Sequence, residues 1–189
     1  MRMYKIITVL SGMLLLAACS DDPAPAVAPV KILATSGSIV DLTGTWKSAC
    51  YGSGSTYQID VHTYSGNTRT VSQEYYQTTD CSGTPSSTKV IAEVSGIVVG
   101  TATKTTTGWV DGQGNTTSPP ISQATTLMAL TYTVSKHTGT YNGAPAYLVL
   151  IVDDSVPTKL AMYRDYDKAN LDADGYPNYI STADPLFKK

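Results

Sequence analysis

Asn170, Asp172, Asp174 and Gly175 fall at the first, third, fifth and sixth places of NLDADGYPNYIS, residues 170–181. Oxygen donors at alternate places with a glycine at the sixth make the pattern of a calcium loop, which wraps a hard cation and turns sharply at the glycine. The twelfth place, where a bidentate glutamate would complete the shell, holds Ser181, and Pro177 interrupts the loop. The stretch therefore reads better as an Asp-Gly turn, with weak calcium binding at Asn170, Asp172 and Asp174 as the competing reading. No cofactor is expected. No hydrolytic constellation is present: there is no G-x-S-x-G, and His62 and His137 lie on separate segments. His62 alternates with apolar residues in TYQIDVHTY, which puts it on a polar, outward face. Glu74 and Glu93 are isolated carboxylates, so the chain is not expected to be an enzyme.

The elements that would position such residues begin after an address. Arg2 and Lys5 precede an apolar run from Ile6 to Leu16, followed by Ala17, Ala18 and Cys19. The run is too short to span a bilayer and has the layout of a secretory signal. The small residues directly before Cys19 resemble the cleavage box of bacterial lipoproteins. That resemblance implies removal of residues 1–18 as signal peptide and acylation of Cys19, palmitate included, giving a stable membrane anchor through several chains. Ser20, where an inner-membrane retention signal would place aspartate, implies the outer membrane of a Gram-negative bacterium. Residues 19–38, with Pro23, Pro25 and Pro29 among alanines, form the lipidated cysteine and a semi-stiff linker. Of 13 basic residues, Arg2 and Lys5 leave with the signal, so 11 stand against 15 acidic ones and the net charge is about −4. No basic patch points to nucleic acid.

With Cys19 acylated, Cys50 and Cys81 remain in an oxidising compartment, and an even remainder there reads as a disulfide. In the chain-entropy account a loop of that length stabilises by roughly 3–4 kcal/mol.

From Trp46 onward the chain is rich in Thr, Val, Tyr and Ile, broken by clusters of Gly, Pro, Asn and Ser. That is strand composition with turn punctuation. Eight strands are expected: Thr45–Gly52, Thr56–Tyr64, Arg69–Thr79, Lys89–Val99, Thr101–Val110, Leu127–Lys136, Ala146–Val152 and Lys159–Tyr166. Successive antiparallel strands with one wet and one dry face close most simply into an up-and-down barrel, which leaves no free edge. A disulfide between the ends of the first and third strands then requires Cys81 to bend back over the second, because two strand spacings exceed its reach.

Gly44-Thr45-Trp46, opening the first strand, resembles the G-x-W signature of lipocalins. The resemblance implies an all-β, eight-stranded antiparallel barrel over residues 39–166. It gives the barrel a floor made by Gly44 and Trp46, with Arg164 of the last expected strand stacked over the indole. Residues 167–189, rich in Gly, Pro, Asn and Asp, are expected as an irregular extension packed on this divergent lipocalin-like barrel. Tyr57, Ile59, Val61, Val71, Tyr75, Met128, Leu130 and Tyr132 are the expected lining of a ligand cavity. The family resemblance implies a small apolar ligand held by a membrane-anchored protein. The alternative is a solid barrel that docks an envelope protein, for which 13 tyrosines against one phenylalanine supply amphipathic surface.

Overall fold

The computed structural model describes residues 26–105, 108–111, 115–117, 126–137, 145–156, 159–164, 173, 179–183 and 185–189. Among them every regular element is a strand. β-branched and aromatic residues alternating with polar ones suit a pleated, half-buried surface and little else. In chain order the strands are β1 (Lys31–Leu33), β2 (Ile39–Asp41), β3 (Gly44–Lys47), β4 (Tyr51–Ser53), β5 (Thr56–Ser65), β6 (Thr68–Tyr76) and β7 (Ser87–Thr105). There follow β8 (Gly108–Val110), β9 (Thr116–Thr117), β10 (Thr126–His137), β11 (Pro145–Asp153), β12 (Ala161–Arg164), β13 (Tyr179–Ser181) and β14 (Leu186–Lys188).

Nine of them form one antiparallel sheet in the order β3-β14-β12-β11-β10-β7-β6-β5-β4, and β3 pairs with β5 as well as with β14. A hairpin of β1 and β2 and a small sheet of β13, β8 and β9 stand apart from it. β4 and β5, and again β5 and β6, pair across two-residue connections. Gly66 and Asn67 alone connect β5 to β6, closing at the pair Ser65 and Thr68, as the turn composition predicts.

Several boundaries differ from the sequence expectation, beginning with the first strand, Thr45–Gly52, which is broken into β3 and β4. The strand expected over 89–99 and the first half of that expected over 101–110 run together in β7, because register shifts opposite β10 absorb irregularities that read in the sequence as a break, whereas Gly108–Val110 is β8 in the small sheet. The extension expected to be irregular supplies β13 and β14, and β14 lies between β12 and β3 in the main sheet. The spacer expected to reach residue 38 gives way to core-forming chain by Val30: Val30, Ile32 and Ala34 are buried, Ile32 at 1 % exposure. Apolar residues at alternate positions here are the inward face of a short strand, a signal that the neighbouring prolines obscure.

The core lies where the β1–β2 hairpin meets the main sheet. Ile32 and Leu42 pack in one cluster with Trp46, Tyr64, Val94, Leu150, Met162 and Leu186. Leu42 N–H donates to Val30 C=O at 2.9 Å, and Thr35 N–H donates to Val152 C=O at 3.0 Å, so the hairpin is tied to β11 through backbone. Asp154, just past β11, accepts from Thr35 Oγ1 at 3.0 Å and Ser36 N–H at 2.9 Å, and also bonds Ser36 Oγ. These contacts hold the Asp154 carboxyl below the usual carboxylate range against the opposing effect of its burial.

Cys50 and Cys81 form the expected disulfide, with Cα atoms 5.6 Å apart. Cys50 follows β3 and Cys81 follows β6, on opposite sides of β5 in the sheet. The connector after β6 therefore crosses the end of β5 to reach it. Cys81 sits at φ 53°, a left-handed turn that a Thr78 carbonyl fixes by accepting its N–H at 3.1 Å.

Candidate functional site

Trp46 sets the inner face of the sheet. It is fully buried, and its Nε1–H donates to Leu42 C=O at 2.8 Å. Gly44 takes φ +113°, a region that side chains rarely adopt, yet a Cβ there would meet only Lys188 Cε at 3.9 Å. The glycine is thus required by backbone conformation more than by space. Arg164, expected over the indole, is on β12, which β14 separates from β3. It pairs with Leu150, and its side chain lies outside the described residues. The strand beside Trp46 is β14, and Lys188 stands directly across from Trp46. Its Nζ lies 5.6 Å from the ring centroid and donates to Asp41 C=O at 2.6 Å. A cation does cover the indole, and Lys188 supplies it from the segment expected to be irregular.

Cross-strand partners share a face, so register sorts the expected cavity residues. Trp46 faces His62, and His62 faces Val71. Val71 and, four positions on, Tyr75 therefore share the Trp46 face. Tyr57, Ile59 and Val61 pair with Tyr76, Glu74 and Ser72, on the opposite face. They are not brought together with Val71 and Tyr75. On that opposite face Lys47 donates to both Glu74 oxygens, at 2.9 and 2.7 Å, and Tyr76 O–H donates to Glu74 at 2.7 Å. Burial raises the Glu74 pKa, but these donors outweigh it and hold the carboxyl below its ordinary value. Burial and the Glu74 carboxylate push the Tyr76 hydroxyl up to about 12. Met128, Leu130 and Tyr132 stand opposite Leu150, Leu148 and Ala146 on β11; their side chains lie outside the described residues.

His62, expected on an outward face, is 3 % exposed. The residues of TYQIDVHTY that share its face are Gln58, Asp60 and Tyr64, and Tyr64 is in the core. The alternation itself is right, but which face turns inward depends on the register against Trp46.

The inner face grades from apolar to polar along the strands. Near Gly44 it carries Trp46, Tyr64 and Val94, with the Arg69 backbone pairing both Tyr64 and Val94. Further along β5 it carries a hydrogen-bonded cluster. Gln58 Nε2 donates to Tyr51 Oη at 2.6 Å, and Tyr51 O–H donates to Asp60 Oδ1 at 2.9 Å. Gln73 Nε2 donates to the same oxygen at 3.2 Å, and Tyr75 O–H donates to Gln73 Oε1 at 2.9 Å. Ser48 fixes the Asp60 backbone, accepting its N–H at 2.9 Å and donating its own N–H to Asp60 C=O at 3.0 Å. Burial, then the hydrogen bond to Asp60, pushes the Tyr51 hydroxyl up to about 12, so it remains a donor across the physiological range. All five side chains are half-buried. Of this cluster the sequence singled out Tyr75 alone. Tyr51, Gln58, Asp60 and Gln73 are scattered over three strands, and only pairing assembles them.

Cys19 and the calcium candidates Asn170, Asp172 and Asp174 lie outside the described residues. Among the described residues no three His, Cys, Asp or Glu side chains group as metal ligands. Comparison with protein-family models, with curated proteins and with solved structures returns no match.

Proposed function

We propose that the chain is a lipid-anchored protein of the cell envelope, a binding protein and not an enzyme, whose strands close into a lipocalin-like barrel around a small amphipathic ligand. The observation that supports this best is the double pairing of β3, to β14 on one side and β5 on the other. Followed through the sheet order, the pairings leave β3 by β14 and return to it by β5. Eight strands closed in that way enclose an interior just wide enough for side chains or for one small guest. Trp46, Leu42 and the β1–β2 hairpin would fill one end. The cluster around Asp60 would stand toward the other. An apolar floor below a polar, half-buried rim suits a ligand with an apolar body and a hydrogen-bonding head. The signal-like N-terminus supports the anchor and the envelope address.

Native mass spectrometry of the chain from Ser20 to Lys189, exported to a bacterial periplasm and purified without detergent, tests this reading. A bound mass of a few hundred daltons, lost on activation, is the expected result. A bare mass that stays bare with fatty acids and lipids would favour a filled barrel that docks an envelope protein.

A further inference from the structure

The five side chains of the Asp60 cluster occupy two rungs of the sheet. Tyr51, Gln58 and Tyr75 form one rung across β4, β5 and β6, and Asp60 and Gln73 form the next. Their mutual hydrogen bonds fix each side chain, yet each remains partly exposed. Held polar groups that are neither sealed nor loose are what a preorganised subsite requires. Their unused capacity is specific. Asp60 Oδ1 accepts twice, whereas Asp60 Oδ2 and Gln58 Oε1 have no hydrogen bond among the described residues. Each amide retains one further N–H.

We propose that this cluster is the polar subsite of the ligand and takes a glycosyl head group, so that the guest is a sugar joined to an apolar chain. The proposal rests on the barrel-carrier reading and names its ligand class. Sugar hydroxyls both donate and accept. They would donate to Asp60 Oδ2 and Gln58 Oε1 and accept from the spare amide N–H groups. A phosphate or carboxylate head would meet the Asp60 charge, and an ammonium head would leave the amide donors unanswered. Tyr51 and Tyr75, on either side of Gln58, offer the flat apolar faces on which sugar rings stack.

The test uses the chain from Ser20 to Lys189, which keeps every described element. Its probes are a decyl maltoside below the micelle-forming concentration, decanoate and free maltose, read by calorimetry. Asp60→Asn is the informative variant, because an asparagine oxygen can still accept from Tyr51 and Gln73 while an amide replaces Oδ2. The maltoside should bind about tenfold or more tightly than decanoate, and Asp60→Asn should remove that preference, weakening the maltoside through loss of a charge-assisted hydrogen bond and strengthening decanoate through loss of the repelling charge. If Asp60→Asn folds poorly, Tyr75→Phe serves. It deletes only the hydroxyl that orients Gln73 and should weaken the maltoside alone. Decanoate binding as tightly as the maltoside, with both variants indifferent to the head group, would overturn the glycosyl subsite and leave the carrier reading standing. Failure of every probe to bind would overturn both.

Discussion

At the scale of single residues, Trp46 carries the most structural weight. It is fully buried, bonded to Leu42 and covered by Lys188. Trp46→Ala should cost about 3–5 kcal/mol by cavity formation and loss of that bond. Lys188→Ala should cost about 1–2 kcal/mol, since it loses the contact with the indole and the bond to Asp41; chemical denaturation measures both. Gly52 gives a sharper steric case. It sits at φ +145°, and a Cβ there would lie 2.4 Å from the Thr56 carbonyl oxygen. Gly52→Ala should therefore cost on the order of 1–3 kcal/mol, through backbone that must shift. The tryptophan was legible from its type and from Gly44 two places before it. Its cationic cover was not. The sequence pointed to Arg164, and only strand order puts Lys188 beside β3 instead.

At the scale of elements, the β1–β2 hairpin depends on a carboxylate. Asp154 clasps Thr35 and Ser36, and its folded pKa is depressed. Glu74, held by Lys47 and Tyr76 between β3 and β6, is depressed in the same direction. A depressed carboxylate contributes stability that is present above its unfolded pKa and is lost as pH falls through the folded value. Thermal stability should thus fall between about pH 5 and pH 2, and Asp154→Asn should flatten part of that fall. A melting temperature independent of pH across that range would contradict the clasp. The tyrosines act at the other extreme. Tyr51 and Tyr76, both raised to about 12, should ionise late in a spectrophotometric titration. Their raised values mean stability that is complete below the unfolded tyrosine pKa and lost as pH rises through the folded one. The disulfide joins connectors across β5, and the Cys50→Ser, Cys81→Ser pair should lower the melting temperature by roughly 10 °C. The pairing of these cysteines was legible by arithmetic, and so was the need for Cys81 to bend back. The strand in the C-terminal tail was not. Three residues, Leu186–Lys188, are too few to show a period, and only pairing with β12 and β3 makes them a strand.

At the scale of the whole molecule, composition made the all-β class and the antiparallel sheet legible, because long alternating runs of Thr, Val and Tyr have few other stable arrangements. The inward face was not legible. Tyr57, Ile59 and Val61 read as lining, but the register of β3 on β5 turns Gln58, Asp60 and His62 inward beside Trp46. A one-residue change of register exchanges the two faces, and nothing local to β5 fixes it. The candidate site was hidden for that reason: its residues are ordinary one by one and distinctive only when paired. The proposed closure and the polar rim both depend on β3 being paired on its two sides at once. Cross-strand nuclear Overhauser contacts in the folded protein test this most directly, read between the backbone protons of Trp46 and those of its neighbours. The barrel account predicts contacts from Trp46 to Lys188 and to His62 in the same molecule. Contacts to His62 alone, with Lys188 free of β3, would describe an open sheet and contradict it.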